Sequence, residues 1–303
     1  MPTPLRLRLL QTGLRTLGRL APERAARVGL GLFTRPNRFQ PKSWELAAAE
    51  TARSEFVPGH SEARAAIALD GATPDLHLHV FEPAGDAARR GTVLLIHGWE
   101  GRGTQLAKLA PALRLAGLRV ALLDLPAHGQ SAGNHTSILE FIHAIHLAVD
   151  HLGDVRAIAG HSIGGMAAFC GAAKLFEVER LVLLGSPGSV QKRIDNGVKL
   201  MTLPPKAAAA FERELERRIP ADIAEWEPLN LAPAAEFRGL WFHDPEDSMV
   251  DYAEAVAMEA AWPSCELITT PGLGHWRILR DASVIERATD FLIGAFRSER
   301  ASA

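Results

Sequence analysis

Val155-Arg156-Ala157-Ile158-Ala159-Gly160-His161-Ser162-Ile163-Gly164-Gly165 is the stretch on which the fold turns. Val155–Ala159 is short and largely apolar, as a strand buried inside a sheet should be. The residues from Ile163 onward are predicted as a helix to about residue 176. Between the two sits Gly160-x-Ser162-x-Gly164, the strand–turn–helix setting that a nucleophile elbow requires. The glycines at 160 and 164 remove side chains that would collide where the backbone turns sharply. Such a turn lifts Ser162 Oγ above the sheet and places the Ile163 N–H at a helix N-terminus, ready to stabilise an oxyanion. The plain alternative is a Gly-rich turn with an incidental serine, so the rest of the machinery must be looked for elsewhere.

A second oxyanion donor is expected after another strand, and His97-Gly98-Trp99 directly follows Val93–Ile96. The Trp99 N–H is the candidate. The loop from Gly98 to Gly103 is glycine-rich, but it lacks G-x-x-x-x-G-K-[ST] and is not a phosphate cradle. A serine hydroxyl needs a base oriented by a third group. Pro271-Gly272-Leu273-Gly274-His275-Trp276 follows the strand candidate Leu267-Ile268 and offers His275. The acid should follow the preceding strand, Leu240-Trp241-Phe242, where Asp244, Glu246 and Asp247 compete. Asp244, beside Pro245, suits a turn.

Outward from these motifs, short strands alternate with helices. Strands are expected at Ala63–Leu69 and Asp75–Phe81, joined by Asp70-Gly71, and then at 93–96, 120–123, 155–159, 181–184, 240–242 and 267–268. Helices are expected near 103–117, 136–152, 163–176, 248–261 and 282–297. The alternation implies a mostly parallel sheet with helices on both faces, and ligands bind outside the carboxyl ends of such strands. Residues 187–237 break the pattern. Their best element is a helix opened by Pro204-Pro205, with Phe211, Leu215 and Ile219 on one side, which suggests a helical cap insertion.

Residues 1–42 carry nine basic side chains and one acid, Glu23, a net of +8 in a chain whose total is −2. Leu7, Leu10, Leu14 and Leu17 recur at helical spacing and Pro22 opens a second helix, so the segment reads as an amphipathic helical arm. Its leucines need a cover: the main domain, a second copy in a homodimer, or an anionic membrane surface. Packing is the expected answer. Of the 303 residues 47% are hydrophobic and 22% charged, which excludes global disorder. With 33 basic against 35 acidic side chains, no nucleic-acid partner is expected. No stretch suits a bilayer span or a cleaved signal, so stable membrane insertion is not expected. Cys170 and Cys265 read as buried free thiols suited to a cytoplasmic location. His143, His146 and Asp150 share a helix face but read as a solvated face, so no metal site is assigned; His77 and His79 read as the exposed side of an edge strand. Of the tryptophans, Trp226, Trp241 and Trp262 read as core and Trp276 as a substrate contact.

His97-Gly98-Trp99, Gly160–Gly165, His243–Val250 and Gly274-His275 together resemble the α/β-hydrolase fold family over roughly residues 63–297. His243-Asp244-Pro245-Glu246-Asp247-Ser248-Met249-Val250 is similar to the family's H-G-x-x-D-x-x-V, and this resemblance places the acid at Asp247. Asp124–Ser131 is similar to D-x-P-G-H-G-x-S, with Ala127 in place of a glycine. The implied architecture is an arm at 1–60, an α/β core at 61–186 and 238–303, and a cap at 187–237. The implied activity is that of a serine hydrolase without cofactor, expected to be a carboxylesterase for short to medium acyl esters. Ser162, His275 and Asp247 would be catalytic, Ile163 and Trp99 would supply the oxyanion amides, and Trp276 and Phe211 would touch a small-molecule ester. Thioester, lysophospholipid and carbon–carbon cleavage, or a non-catalytic receptor, remain open on the same residues.

Overall fold

A computed structural model of the protein describes residues 5–59, 74–85, 89–218 and 222–297. Among the described residues the strands are β1 (Arg53–Val57), β2 (Leu76–Phe81), β3 (Thr92–Ile96), β4 (Arg119–Asp124), β5 (Val155–His161), β6 (Arg180–Leu184), β7 (Arg238–His243) and β8 (Cys265–Thr269). They form one eight-stranded sheet in the order β1-β2-β4-β3-β5-β6-β7-β8. The β1–β2 and β2–β4 pairs are antiparallel and all others parallel. The helices are α1 (Leu5–Leu20), α2 (Pro22–Phe33), α3 (Ser43–Glu50), α4 (Ala110–Leu115), α5 (Ile138–Leu152), α6 (Ser162–Lys174), α7 (Val190–Met201), α8 (Pro205–Arg218), α9 (Pro228–Leu231), α10 (Tyr252–Ala261), α11 (Gly274–Arg277) and α12 (Ala282–Ile293).

The unbroken apolar strands follow from burial on both faces. Leu94 and Ile96 of β3 join the core that includes Phe141, Ile145 and Met166 of α5 and α6. Val93 and Leu95 join the core that holds Leu113 of α4 and Leu292 of α12. Cutting a fully buried leucine such as Leu94 to alanine removes ~2–5 kcal/mol of stability. Helix boundaries follow local chemistry: Ser137 caps α5 by accepting the Glu140 N–H, and Gly153 ends it at a φ of 73°.

Two expectations change at the sheet's first edge. The strand expected at 63–69 lies outside the described residues, and the strand that pairs with β2 is β1, within the segment assigned to the arm. With β1 outside it, β2 is no longer an edge. His77 and His79 are therefore 0% and 4% exposed, not solvated. Each places a ring nitrogen 3.4 Å from Asp124 Oδ2 on neighbouring β4.

Among the described residues of 187–237 there are helices and no strand, as expected of an insertion, but α8 lies against the arm. Phe211 is fully buried with its ring 5.7 Å from Phe33 of α2 in an edge-to-face contact. Gly18 and Gly29 give the room for this approach, since a Cβ on Gly18 would come within 2.7 Å of Pro204 and one on Gly29 within 3.1 Å of Met201 Sδ. Leu14, Ala25, Ala26 and Leu30 are buried in the same contact zone, while Leu5, Leu9 and Leu20 face outward. Trp226, Trp241 and Trp262 are core residues. Cys170 is buried and Cys265 half-buried, both free, and burial pushes the Cys265 thiol up to about 12.

Candidate active site

The elbow is formed at the junction of β5 and α6. Ser162 has a φ of 52°, a left-handed conformation that a side chain adopts only under constraint. The constraint is close packing: a Cβ on Gly160 would come 2.4 Å from Gly165 Cα, and one on Gly164 only 1.9 Å from the His97 carbonyl oxygen. A Cβ on Gly98 would lie 2.8 Å from Ser162 Cβ, so the loop after β3 rests directly on the serine. Ser162 begins α6 with no side-chain cap, so the Ile163 N–H is one of the helix's unpaired first-turn donors.

The loop after β3 is held by two imidazoles. His97 donates from Nδ1 to the Gly98 carbonyl at 2.7 Å and accepts the Leu125 N–H at Nε2, 3.0 Å away. His128 donates from Nδ1 to the Pro126 carbonyl at 2.8 Å and accepts the Glu100 N–H at 2.9 Å. Both rings must be neutral to accept these bonds. Burial accordingly lowers His97 to about 4 and His128 to about 3. Ala127, where the family pattern has glycine, adopts a φ of 64°. Asp124 receives the Gly103 and Gln130 amides at 2.8 and 2.9 Å. Burial works to raise its carboxyl, but His77 and His79 outweigh it and hold it well below the usual range.

His275 Nδ1 stands 2.7 Å from Asp247 Oδ2. Asp247 Oδ1 accepts the amides of Met249 and Val250 at 2.7 and 3.2 Å. Burial opposes ionisation of Asp247, but the His275 hydrogen bond and these amides overcome it and hold the carboxyl below its ordinary value. Behind it, His243 accepts from Trp241 Nε1 at 3.3 Å and donates to the Val250 carbonyl at 3.1 Å. Asp244 takes a different part: it accepts the Glu246 and Gly274 amides, tying the acid's turn to the loop that carries His275. His161 donates from Nε2 to the His275 carbonyl at 3.0 Å, and burial with the nearby His275 lowers its imidazole to about 3.

Ser162, His275, Trp99, Trp276 and Met249 open into one cleft of about 330 Å³. Phe39, Gln40, Lys42 and Glu45 supply part of its lining, with Glu100, Arg102 and Gln105. Of the residues singled out in the sequence, Ser162, His275, Trp99 and Trp276 thus meet at one place, with Asp247 bonded behind His275. Phe211 does not join them, because Phe33 of α2 covers it; Ile219, the last residue of the expected stripe, lies outside the described residues. The arm's contribution had no periodic signal in the sequence. The face His143, His146, Asp150 does not gather: His143 is buried, and His146 pairs with Asp150 at 3.5 Å. Among the described residues the one set of metal-type donors within 4.8 Å of one another is His77, His79 and Asp124, removed from the cleft lining.

The alpha/beta hydrolase fold family matches residues 91–263, and the chain belongs to it. No curated protein matches. Among solved structures, the esterase Pf2001 of Pyrococcus furiosus superposes with a TM-score of 0.61 at 19% identity, covering 87% of this chain and 100% of that one. Est1E of Butyrivibrio proteoclasticus, solved with ferulic acid, gives 0.55 at 19% identity over 73% of this chain and 94% of its own. A monoacylglycerol lipase of Paleococcus ferrophilus gives 0.56 at 20% identity over 73% and 99%. At these identities the likeness establishes the shared fold. Among the described residues no helix is long and apolar enough to cross a membrane.

Proposed function

We propose that the protein is a serine ester hydrolase, a carboxylesterase that cleaves compact esters through an acyl-enzyme. The observation that carries this reading is the Asp247–His275 hydrogen bond of 2.7 Å beside a cleft that also holds Ser162 in its left-handed turn. Asp247 fixes the His275 proton on Nδ1, leaving Nε2 as the base for the Ser162 hydroxyl. The Ser162 oxygen attacks the ester carbonyl, and the tetrahedral oxyanion is received by the Ile163 and Trp99 amides. His275 then returns the proton to the departing alcohol. A water, deprotonated by the same ring, attacks the acyl-enzyme, and collapse of the second tetrahedral intermediate frees the acid and restores Ser162. No step calls for a cofactor. The structural relatives include esterases and lipases together with a proline iminopeptidase, and the ester reading follows the larger group. The free cysteines accord with a cytoplasmic enzyme acting on a small molecule.

A fluorophosphonate probe tests the reading. It should label wild-type protein at Ser162 alone, and Ser162→Ala should lose both the label and the turnover of aryl esters. Undiminished esterase activity in Ser162→Ala would refute it. A panel of aryl esters of increasing acyl length, with a thioester and a lysophospholipid, ranks the substrates.

A further inference from the structure

We propose that the arm, and not the cap, supplies the specificity wall of the cleft, and that the wall takes an ester with a compact apolar group such as a single ring. The proposal rests on the serine-hydrolase reading above and names its substrate class. Three large apolar side chains line the cleft yet stay widely exposed: Phe39 (60%), Met249 (58%) and Trp276 (46%). An aromatic residue held half in water at the mouth of a nucleophile's cleft gains its burial when substrate arrives. Phe39 lies in the segment between α2 and α3, which has no helix or strand of its own and is fixed by side-chain bonds to the strand ends.

Those bonds are specific. The Arg38 guanidinium donates to the carbonyls of Gly129, Ser131 and Gly133. Glu100 accepts from both the backbone and the side chain of Asn37. Arg102, 9% exposed, bonds Glu45 and also donates to the Phe39 carbonyl at 2.6 Å. The wall is therefore tied to the same loop that carries the oxyanion amide of Trp99, which makes it a preorganised surface. Phe211, the cap residue expected to touch substrate, is covered by Phe33 and cannot serve.

The cleft of about 330 Å³ lies at the small end of ligand sites, which fits a single ring better than a long chain.

The test compares kcat/KM for methyl acetate, methyl phenylacetate and benzyl acetate. Phe39→Ala should lower the ratio of aryl-bearing ester to methyl acetate by ~10–200-fold, the range for a lost apolar contact. Phe211→Leu, in the cap, should leave that ratio within twofold. Arg38→Ala should raise KM for the aryl esters more than it lowers kcat, since it positions the wall without touching substrate. A ratio unmoved by Phe39→Ala, or moved as far by Phe211→Leu, overturns the arm's role. An Arg38→Ala effect confined to melting temperature makes the segment merely structural and overturns it equally. If fluorophosphonate labelling of Ser162 persists through such failures, the catalytic reading stands; if labelling itself is absent, that reading has failed first.

Discussion

Mild acid should destabilise this protein through three buried imidazoles at the candidate active site. His97, His128 and His161 are 0–1% exposed, and burial lowers them to about 4, 3 and 3 from an ordinary 6.5. The hydrogen bonds give an independent reason, since His97 and His128 each accept a backbone N–H that a protonated ring would repel. A histidine whose folded value is depressed stays neutral in the native state while the unfolded chain takes up a proton below about 6.5. The unfolded state then binds more protons, so stability falls as pH falls between roughly 6.5 and 4. Each ring contributes ~1.4 kcal/mol per pH unit well inside that window. Summed over three rings from pH 7.5 to 5.5, the loss is about 4 kcal/mol, set against a total of ~5–15 kcal/mol for a typical protein. Carboxylates held low, such as Asp124 and Asp247, lose their stabilisation only below the ordinary carboxylate range and do not mask the effect. Urea denaturation followed by circular dichroism at pH 7.5, 6.5 and 5.5 measures it. His128→Gln, which retains an acceptor for the Glu100 amide, should remove about a third of the slope. Equal stability at pH 7.5 and 5.5 would refute the neutral-histidine argument.

Asp247→Asn should lower kcat ~10⁴-fold, because an amide does not hold His275 in the productive tautomer. Asp244→Asn should act mainly on stability and far less on kcat; the reverse ranking, with both proteins folded, transfers the acid's role to Asp244. Gly164→Ala should abolish ester turnover, since its methyl would strike the His97 carbonyl beneath the oxyanion loop; near-wild-type kcat would show that the elbow yields. Deleting residues 1–33 uncovers Phe211 and should lower the melting temperature and raise binding of an apolar dye. An unchanged melting temperature would remove α1 and α2 from the stability of the fold.

The elbow and the sheet were legible because each depends on residues adjacent in sequence. Gly160, Ser162 and Gly164 encode a turn whose sterics are local, and the apolar strands 93–96 and 120–123 declare double-sided burial directly. The choice between Asp244 and Asp247 was not local, since both occupy one turn. It rests on which carboxylate reaches a loop some 30 residues on: Asp247 meets the His275 ring, while Asp244 meets the Gly274 amide. The cap illustrates a different limit. Phe211 and Leu215 do form one buried face, as their spacing predicts, but amphipathicity specifies that a face is covered and not by what. Here the arm reached it first, through Gly18 of α1 and Gly29 of α2, whose value appears only when the two segments meet. His77 and His79 repeat the lesson in a strand, where alternation signals solvent unless another strand closes the edge. The segment from Asn37 to Lys42 was least legible of all. Its anchors are arginine-to-carbonyl bonds that carry no period and no composition bias, and carbonyl acceptors are the same in every residue. A wall built this way can change its lining residues without disturbing its anchors, because Arg38 and Arg102 bind backbone oxygens. Substrate preference should therefore vary at position 39 with little cost to the fold, whereas the elbow, packed against main-chain atoms on every side, admits almost no change.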